Sequence, residues 1–241
     1  MSDKVFDRIE KKYLITDAQR KAMLDVISRN MHEDNYFRSK VFNIYFDNEN
    51  YDLIVQSIDR PLFKEKLRAR SYGGYDRVFL EIKTKLLGKD ANPGFKRRVM
   101  ITKKDFEEFI NGTKNLVTLA KKTIEKEDDL QIASEVDYLA KRFDLKPRIM
   151  VIYGRESYKG EDNLRVTFDT DLKYRLKDFQ FKAKKSDKIY FKDKCNIIME
   201  IKAHGALPLW LVKAMSKNKV YPQQFSKVGR IYEKLKKEEN V

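Results

Sequence analysis

Polar and apolar positions alternate with a period of two in several short stretches, and the polar half of the alternation is charged. In Lys64-Glu65-Lys66-Leu67-Arg68-Ala69-Arg70-Ser71-Tyr72, residues 64, 66, 68, 70 and 72 project from one face of a β-strand. A half-buried strand ordinarily alternates apolar with mixed polar residues; this one alternates cations with small or apolar residues. Four later segments repeat the habit. Glu81, Lys83 and Lys85 share a face, as do Lys96 and Arg98, then Arg165, Thr167 and Asp169, then Glu200 and Lys202. Near the start, Phe6 to Tyr13 predicts a strand with Arg8, Glu10 and Lys12 on one side.

The remaining pattern fills in an α+β chain. Thr16-Asp17-Ala18-Gln19 is a capping-box signature, followed by a helical stripe of Ala22, Met23, Val26 and Ile27. Val41 to Phe46 predicts a second strand, ending at Asp47-Asn48-Glu49-Asn50. After a brief segment at 53–58 comes the basic strand, which Gly73-Gly74 turns back into 78–85. A further reversal at Gly88, Pro93 and Gly94 leads into 95–101, giving an antiparallel three-strand meander. Thr102 to Asp105 caps a helix that Asn111-Gly112 ends, and one or two more helices occupy 116–143. Strands resume at 149–157, 163–170, around 189–191, and at 195–203. Pro208 fits the first turn of a helix through Lys217, and a last helix runs from about Gln224 to Lys237. No linker or repeat interrupts the pattern, so 1–241 reads as a single domain.

Composition narrows the partners. The 241 residues are 41% hydrophobic and 37% charged, with a formal net charge of +15 and a pI near 9.6, a balance that favours an anionic partner. Cys195 is alone, which fits a reducing compartment. With histidine only at 32 and 204, a zinc site is excluded in practice, and a metal would be a hard ion on carboxylate oxygens, Mg²⁺ or Mn²⁺. The N-terminus opens on charge without a signal-peptide core. No run approaches the roughly 18 apolar residues of a membrane span. The expectation is a soluble, cytoplasmic protein.

Eight or so strands with inward charges predict a closed antiparallel barrel whose lumen is polar and basic, flanked by helices. Cations crowded in such a space repel unless an anion fills it, and phosphates accept charge-assisted hydrogen bonds from Arg and Lys. Glu10, Glu81, Asp169 and Glu200 share the parity of those cations. Ion pairing is the plain role for each, and phosphoryl chemistry would make at least one a metal ligand. Glu200 comes first, because Met199-Glu200-Ile201-Lys202 echoes Leu80-Glu81-Ile82-Lys83. His204, Trp210 and Cys195 read as turn, core and packed residues. No P-loop or Rossmann glycine pattern occurs, nor any RNA-recognition or helix-turn-helix signature, so no nucleic-acid partner is expected.

The ordered signatures Arg8-x-Glu10-x-Lys12-Tyr13, Tyr45-Phe46-Asp47, Lys66-x-Arg68-x-Arg70-x-Tyr72, Glu81-Ile82-Lys83, Lys96-Arg97-Arg98, Tyr153-x-Arg155, Leu164 to Asp169, Glu200-Ile201-Lys202 and Phe225-Ser226-Lys227 resemble the VTC domain of vacuolar transporter chaperone polyphosphate polymerases. That family belongs to the CYTH-like triphosphate tunnel metalloenzymes, and the likeness runs from Arg8 to about Tyr232. It implies a strand-walled tunnel that moves the γ-phosphoryl group of ATP onto inorganic polyphosphate and releases ADP. It also implies that Lys12, Arg68, Arg70, Lys83, Arg98, Arg155 and Arg165 grip phosphates and that Lys227 approaches from one end. Arg8, Lys66, Lys85, Lys96, Lys202 and Tyr72 join as further phosphate contacts. Glu200 would hold the metal, with Glu10 and Glu81 as further ligands. Arg8 stands where CYTH hydrolases often carry a glutamate, which favours polymerase over hydrolase. The competing readings are a triphosphatase with water as acceptor, and a non-catalytic binder of polyphosphate. A membrane-protein partner stays open.

Overall fold

The fold is described from a computed structural model that covers residues 8–59, 62–86, 94–123, 127–191 and 195–239. Its strands are β1 (Arg8–Ile15), β2 (His32–Asp47), β3 (Phe63–Tyr72), β4 (Val78–Leu86), β5 (Gly94–Ile101), β6 (Lys146–Lys159), β7 (Arg165–Arg175), β8 (Lys188–Ile189) and β9 (Ile197–His204). Its helices are α1 (Asp17–Asn30), α2 (Asp52–Asp59), α3 (Lys103–Ile110), α4 (Leu116–Ala120), α5 (Glu127–Arg142), α6 (Leu209–Lys217) and α7 (Lys227–Glu239). The architecture is α+β, with one large antiparallel sheet in the order β1-β9-β7-β6-β2-β3-β4-β5 and β8 paired to β7.

The predicted closed barrel is not closed by hydrogen bonds. The order ends at β1 and β5, and no pairing joins these two among the described residues. The outer edge of β1 is taken instead by Gln223, whose backbone N–H donates to the Lys12 carbonyl at 2.7 Å. By internal contacts the chain forms two compact units. The first comprises Met1–Lys40, Tyr153–Lys173 and Ile189–Ser226; the second comprises Val41–Ile152, Tyr174–Lys188 and Lys227–Val241.

In the second unit, β3, β4 and β5 form the predicted meander. Tyr75 N–H closes the turn onto the Tyr72 carbonyl at 3.3 Å, and Gly74 takes φ +93° there, a conformation that side chains strain to adopt. The register pairs Leu67 with Ile82, Ala69 with Leu80, Leu80 with Val99 and Val78 with Ile101, so the apolar residues share one face. On it pack Phe106, Leu116, Ala133 and Val136 from α3, α4 and α5, all buried. Full burial of Phe106, Leu116 or Val136 stabilises by roughly 1.5–3 kcal/mol each. Thr102 caps α3 as expected, its Oγ1 accepting from Asp105 N–H at 3.0 Å. The segment at 53–58 is helix α2, because the Asp47 carboxylate accepts from Leu53 and Ile54 N–H at 3.0 and 2.8 Å.

In the first unit, β9 lies between β1 and β7, and Tyr13, Met199 and Phe168 stand in one row of the register. With Ile15, Val166, Ile197 and Ile201 they bury a face against Met23 and Ile27 of α1 and Leu211 of α6. The capping box at Thr16 and Gln19 forms in both directions, at 3.2 and 3.0 Å.

Several boundaries differ from the pattern. β2 begins at His32 rather than Val41, because residues 32–40 are polar and largely exposed, leaving no alternation to count. α7 starts at Lys227 rather than near Gln224, β8 ends at Ile189, and β9 starts at Ile197. The reversal at Gly88 and Pro93 lies outside the described residues.

Candidate functional site

Residues directly opposite in an antiparallel ladder share a face, so the register tests the predicted charged faces. In the second unit, Tyr45, Arg68, Glu81 and Arg98 form one row across β2, β3, β4 and β5. The next row is Lys66, Lys83 and Lys96, and beyond it Lys64 stands opposite Lys85. On the other side of Arg68 come Asn43, Arg70 and Phe79, and Tyr72 opposite Val41. The sequence-predicted cations of this region are therefore neighbours on one face, with the apolar core on the other.

Glu81 is the buried counter-ion of that face. Arg68 Nε donates to its Oε2 at 2.5 Å, and Lys96 Nζ bonds its Oε1. Burial favours its protonated form, but Arg68 and Arg70, with the Lys96 hydrogen bond, outweigh it and hold the carboxyl at about 2. Burial lowers the pKa of Lys96 despite this pairing. Arg70 Nε donates to Asn43 Oδ1 at 2.8 Å, and the Arg98 guanidinium lies 4.8 Å over the Phe79 ring. Tyr72 meets Phe79 edge-on at 6.3 Å. Tyr45, to which the sequence pattern assigns no role, stands opposite Arg68. Burial opposes its ionisation, yet Arg68, Lys66 and Arg70 bring its phenol down to about 7. Being uncharged in a sequence, it gives no signal beyond its parity with Asn43.

In the first unit, Lys12, Glu200 and Thr167 form one row across β1, β9 and β7, and Glu10, Lys202 and Arg165 the next. Lys202 Nζ lies 2.8 Å from Glu200 Oε1 and 3.4 Å from Glu10 Oε2, while Lys12 Nζ is 3.5 Å from Glu10 Oε1. Burial works against ionised Glu200, but Lys202, Lys12 and Arg155 overcome it and hold the carboxyl far below the usual range. Arg155 is clamped on Asp169, with Nε to Oδ1 at 2.6 Å and Nη2 to Oδ2 at 2.8 Å. Arg165 donates to Ser157 Oγ at 3.0 Å and pairs with Asp34 at 3.0 Å. Arg8 is in register with His204; its side chain lies outside the described residues. Lys227 is the first residue of α7, in the second unit.

Glu200 and Glu10 are the carboxylates of the first unit that could hold a divalent ion. Two carboxylates, Glu200 and Glu10, reach the same ammonium, and the buried Thr167 hydroxyl opposite Glu200 has no hydrogen-bond partner. Mg²⁺ and its like bind through one or two carboxylates completed by water and phosphate. No cluster of three or more His, Cys, Asp or Glu occurs among the described residues, so any such site would need substrate oxygens. Glu81 would first have to release Arg68 and Lys96.

The fold has solved counterparts. A putative adenylyl cyclase from Hippeastrum, described as having a dominant triphosphatase activity, aligns with a TM-score of 0.53 at 14% identity, over 92% of this chain and 93% of its own. A putative adenylate cyclase from Vibrio parahaemolyticus aligns with a TM-score of 0.50 at 11% identity, over 94% and 98%. At these identities the likeness shows the fold alone. Residues 7–236 match the model of the VTC domain, and the chain belongs to that family. Vacuolar transporter chaperone complex subunit 4 of Trypanosoma brucei brucei is 26% identical over 161 residues, and that of Schizosaccharomyces pombe 25% over 144 residues. These alignments cover 58% and 55% of this chain but only 20% of each relative. No helix among the described residues is long and apolar enough to cross a membrane.

Proposed function

We propose that this protein is a metal-dependent polyphosphate polymerase that transfers the γ-phosphoryl group of ATP onto a polyphosphate chain. The observation that carries the reading is the row Lys66, Lys83 and Lys96, three lysines opposite one another on adjacent strands. Ammonium groups so placed can donate charge-assisted hydrogen bonds to successive oxygens of a phosphate chain. Arg68, Arg70 and Arg98 would orient the phosphates for in-line transfer and stabilise the charge that spreads over them. Lys12, Lys202 and Arg165 would do the same in the first unit. Glu200, with Glu10, would hold Mg²⁺ or Mn²⁺, which supplies neutralisation of the phosphate oxygens. A phosphate oxygen of the acceptor attacks, so no protein nucleophile is required.

The closed tunnel implied by the family and the cytoplasmic setting are parts of this proposal. So are partner subunits, in keeping with relatives named as subunits of a complex. A triphosphatase is the second reading, favoured by the Hippeastrum neighbour's described activity. Incubation with ATP and Mn²⁺, with products resolved by gel and phosphorus NMR, separates the two. Long polyphosphate with ADP is the expected result. Orthophosphate alone, or tripolyphosphate cleaved faster than ATP, would make it a triphosphatase.

A further inference from the structure

Arg165 reaches the charged face of the first unit already held by two side chains that the phosphate chemistry leaves without a role. Its Nε donates to Ser157 Oγ at 3.0 Å, and its Nη2 lies 3.0 Å from Asp34 Oδ2. Ser157 Oγ in turn donates to the same Asp34 oxygen at 3.1 Å, closing a ring of three contacts. The other carboxylate oxygen is engaged as well, since Asp34 Oδ1 accepts from Asn35 N–H at 2.9 Å. Ser157 is 1% exposed, so water does not compete for its hydroxyl and the ring is pinned there. Asp34, Ser157 and Arg165 stand on β2, β6 and β7, all within the first unit.

A guanidinium carries its N–H donors in a rigid planar fork. Ser157 and Asp34 occupy the edge formed by Nε and Nη2, which leaves Nη1 and the outer N–H of Nη2 for a ligand. The side chain is 44% exposed, so that outer edge is reachable. The register sets Arg165 opposite Lys202, the lysine shared by Glu200 and Glu10. Arg155 is held in the same manner, its Nε and Nη2 both on Asp169. Resting on the phosphate reading above, we infer that Asp34 and Ser157 are positioning residues for Arg165, fixing its plane so that the outer edge meets two oxygens of one phosphate. Bidentate contact depends on that plane, and a side chain oriented beforehand loses less freedom on binding. The inference has a distinctive sign. Asp34 is an anion beside an anion site, so by charge alone its removal would tighten phosphate binding. Loss of orientation makes its removal weaken binding instead.

The test is the tripolyphosphate affinity of the full chain by calorimetry, with chemical denaturation alongside to confirm folding. Ser157→Ala and Asp34→Ala are each measured alone and combined with Arg165→Lys, which keeps the charge and removes the fork. Asp34→Ala, on the half-buried residue, carries the test if Ser157→Ala fails to fold. Either alanine should weaken tripolyphosphate about five- to ten-fold with Arg165 present, and by less than about two-fold in the Arg165→Lys background. Equal weakening in both backgrounds would mean that the two residues only support the fold. Tighter binding by Asp34→Ala would mean that Asp34 competes with phosphate for Arg165. Either result overturns the positioning role, as does unchanged affinity in the alanine variants or in Arg165→Lys. The phosphate reading survives all of these, because the unsubstituted chain still binds tripolyphosphate. If the unsubstituted chain does not bind it, the phosphate reading fails and takes the positioning role with it.

Discussion

The two charged strand faces of this protein are built on different balances. On β3, β4 and β5 of the second unit, one face carries Lys64, Lys66, Arg68 and Arg70, then Lys83 and Lys85, then Lys96 and Arg98, and Glu81 is the single carboxylate of these strands that shares it. On β1, β9 and β7 of the first unit, cations and carboxylates nearly match: Lys12 and Lys202 beside Glu10 and Glu200, and Arg155 clamped to Asp169. The first arrangement carries an excess of positive charge and favours an anion. The second has carboxylate oxygens to spare for a cation once phosphate draws the lysines away. Under the proposed function, the first face would bind phosphate and the second would hold the metal.

The sharpest way to break the comparison is Glu200→Gln, which keeps shape and removes the charge. Metal-stimulated turnover should fall about 10²–10³-fold, the scale of losing one electrostatic stabiliser of a transition state. Tripolyphosphate binding measured without metal should stay within a few-fold. Unchanged turnover would put the metal elsewhere. The counterpart in the other unit, Arg68→Ala, should register first in stability. Glu81 is 1% exposed and would lose a buried guanidinium partner, at a cost of about 3–5 kcal/mol by chemical denaturation. Lys96 remains to limit the loss, and Arg68→Met with Glu81→Leu should recover stability without recovering phosphate binding.

How much of this was legible in the sequence follows the same divide. The meander and its cationic face could be read from parity alone, since period two fixes the face of each side chain once the strand is recognised. The capping residues Thr16 and Thr102 were equally plain, because a cap is a local device. What parity cannot give is pairing. Nothing in Arg155 or Asp169 alone announces their bidentate clamp, and nothing in Lys66, Lys83 and Lys96 announces a common row, since both depend on register. The polar first half of β2 was missed because it has no buried face to alternate. Parity is silent on closure for a related reason: charges on every strand fix a face, not which edges meet. Tyr45 was passed over as a site residue because its importance comes from the cations that β3 places opposite and around it.

The lysine row itself offers a prediction with two opposite signs. Lys83→Ala removes one member of a like-charged row, so the unliganded protein should be unchanged or more stable by about 0.2–1 kcal/mol. Affinity for tripolyphosphate should drop several-fold, more at low salt than at high salt, because exposed charges are screened. Thermal unfolding with and without tripolyphosphate measures both signs in one experiment. A loss of stability without ligand would mean that Lys83 is held by a structural partner rather than poised for phosphate.

The smallest effect belongs to Tyr45, and its sign can be worked out. Its phenol titrates near 7 in the folded protein, well below the ordinary value of 10, because Arg68, Lys66 and Arg70 favour the phenolate more strongly than burial opposes it. A depressed pKa stabilises the fold where the group is ionised. Relative to Tyr45→Phe, the native protein should therefore show no advantage from this group below pH 7. An advantage should grow between pH 7 and 10 and level off above. The phenolate band in the ultraviolet should appear with a midpoint near 7 and be absent from the variant. Tripolyphosphate should push that midpoint upward, because phosphate oxygens neutralise the cations that hold the phenolate, and binding should then take up a proton near pH 8. In the first unit the shift of Tyr13 has the opposite sign, raised by burial. A midpoint that ligand leaves unmoved would mean that phosphate does not approach the row of Tyr45, Arg68 and Glu81, and the proposed division between the two faces would fail on its phosphate side.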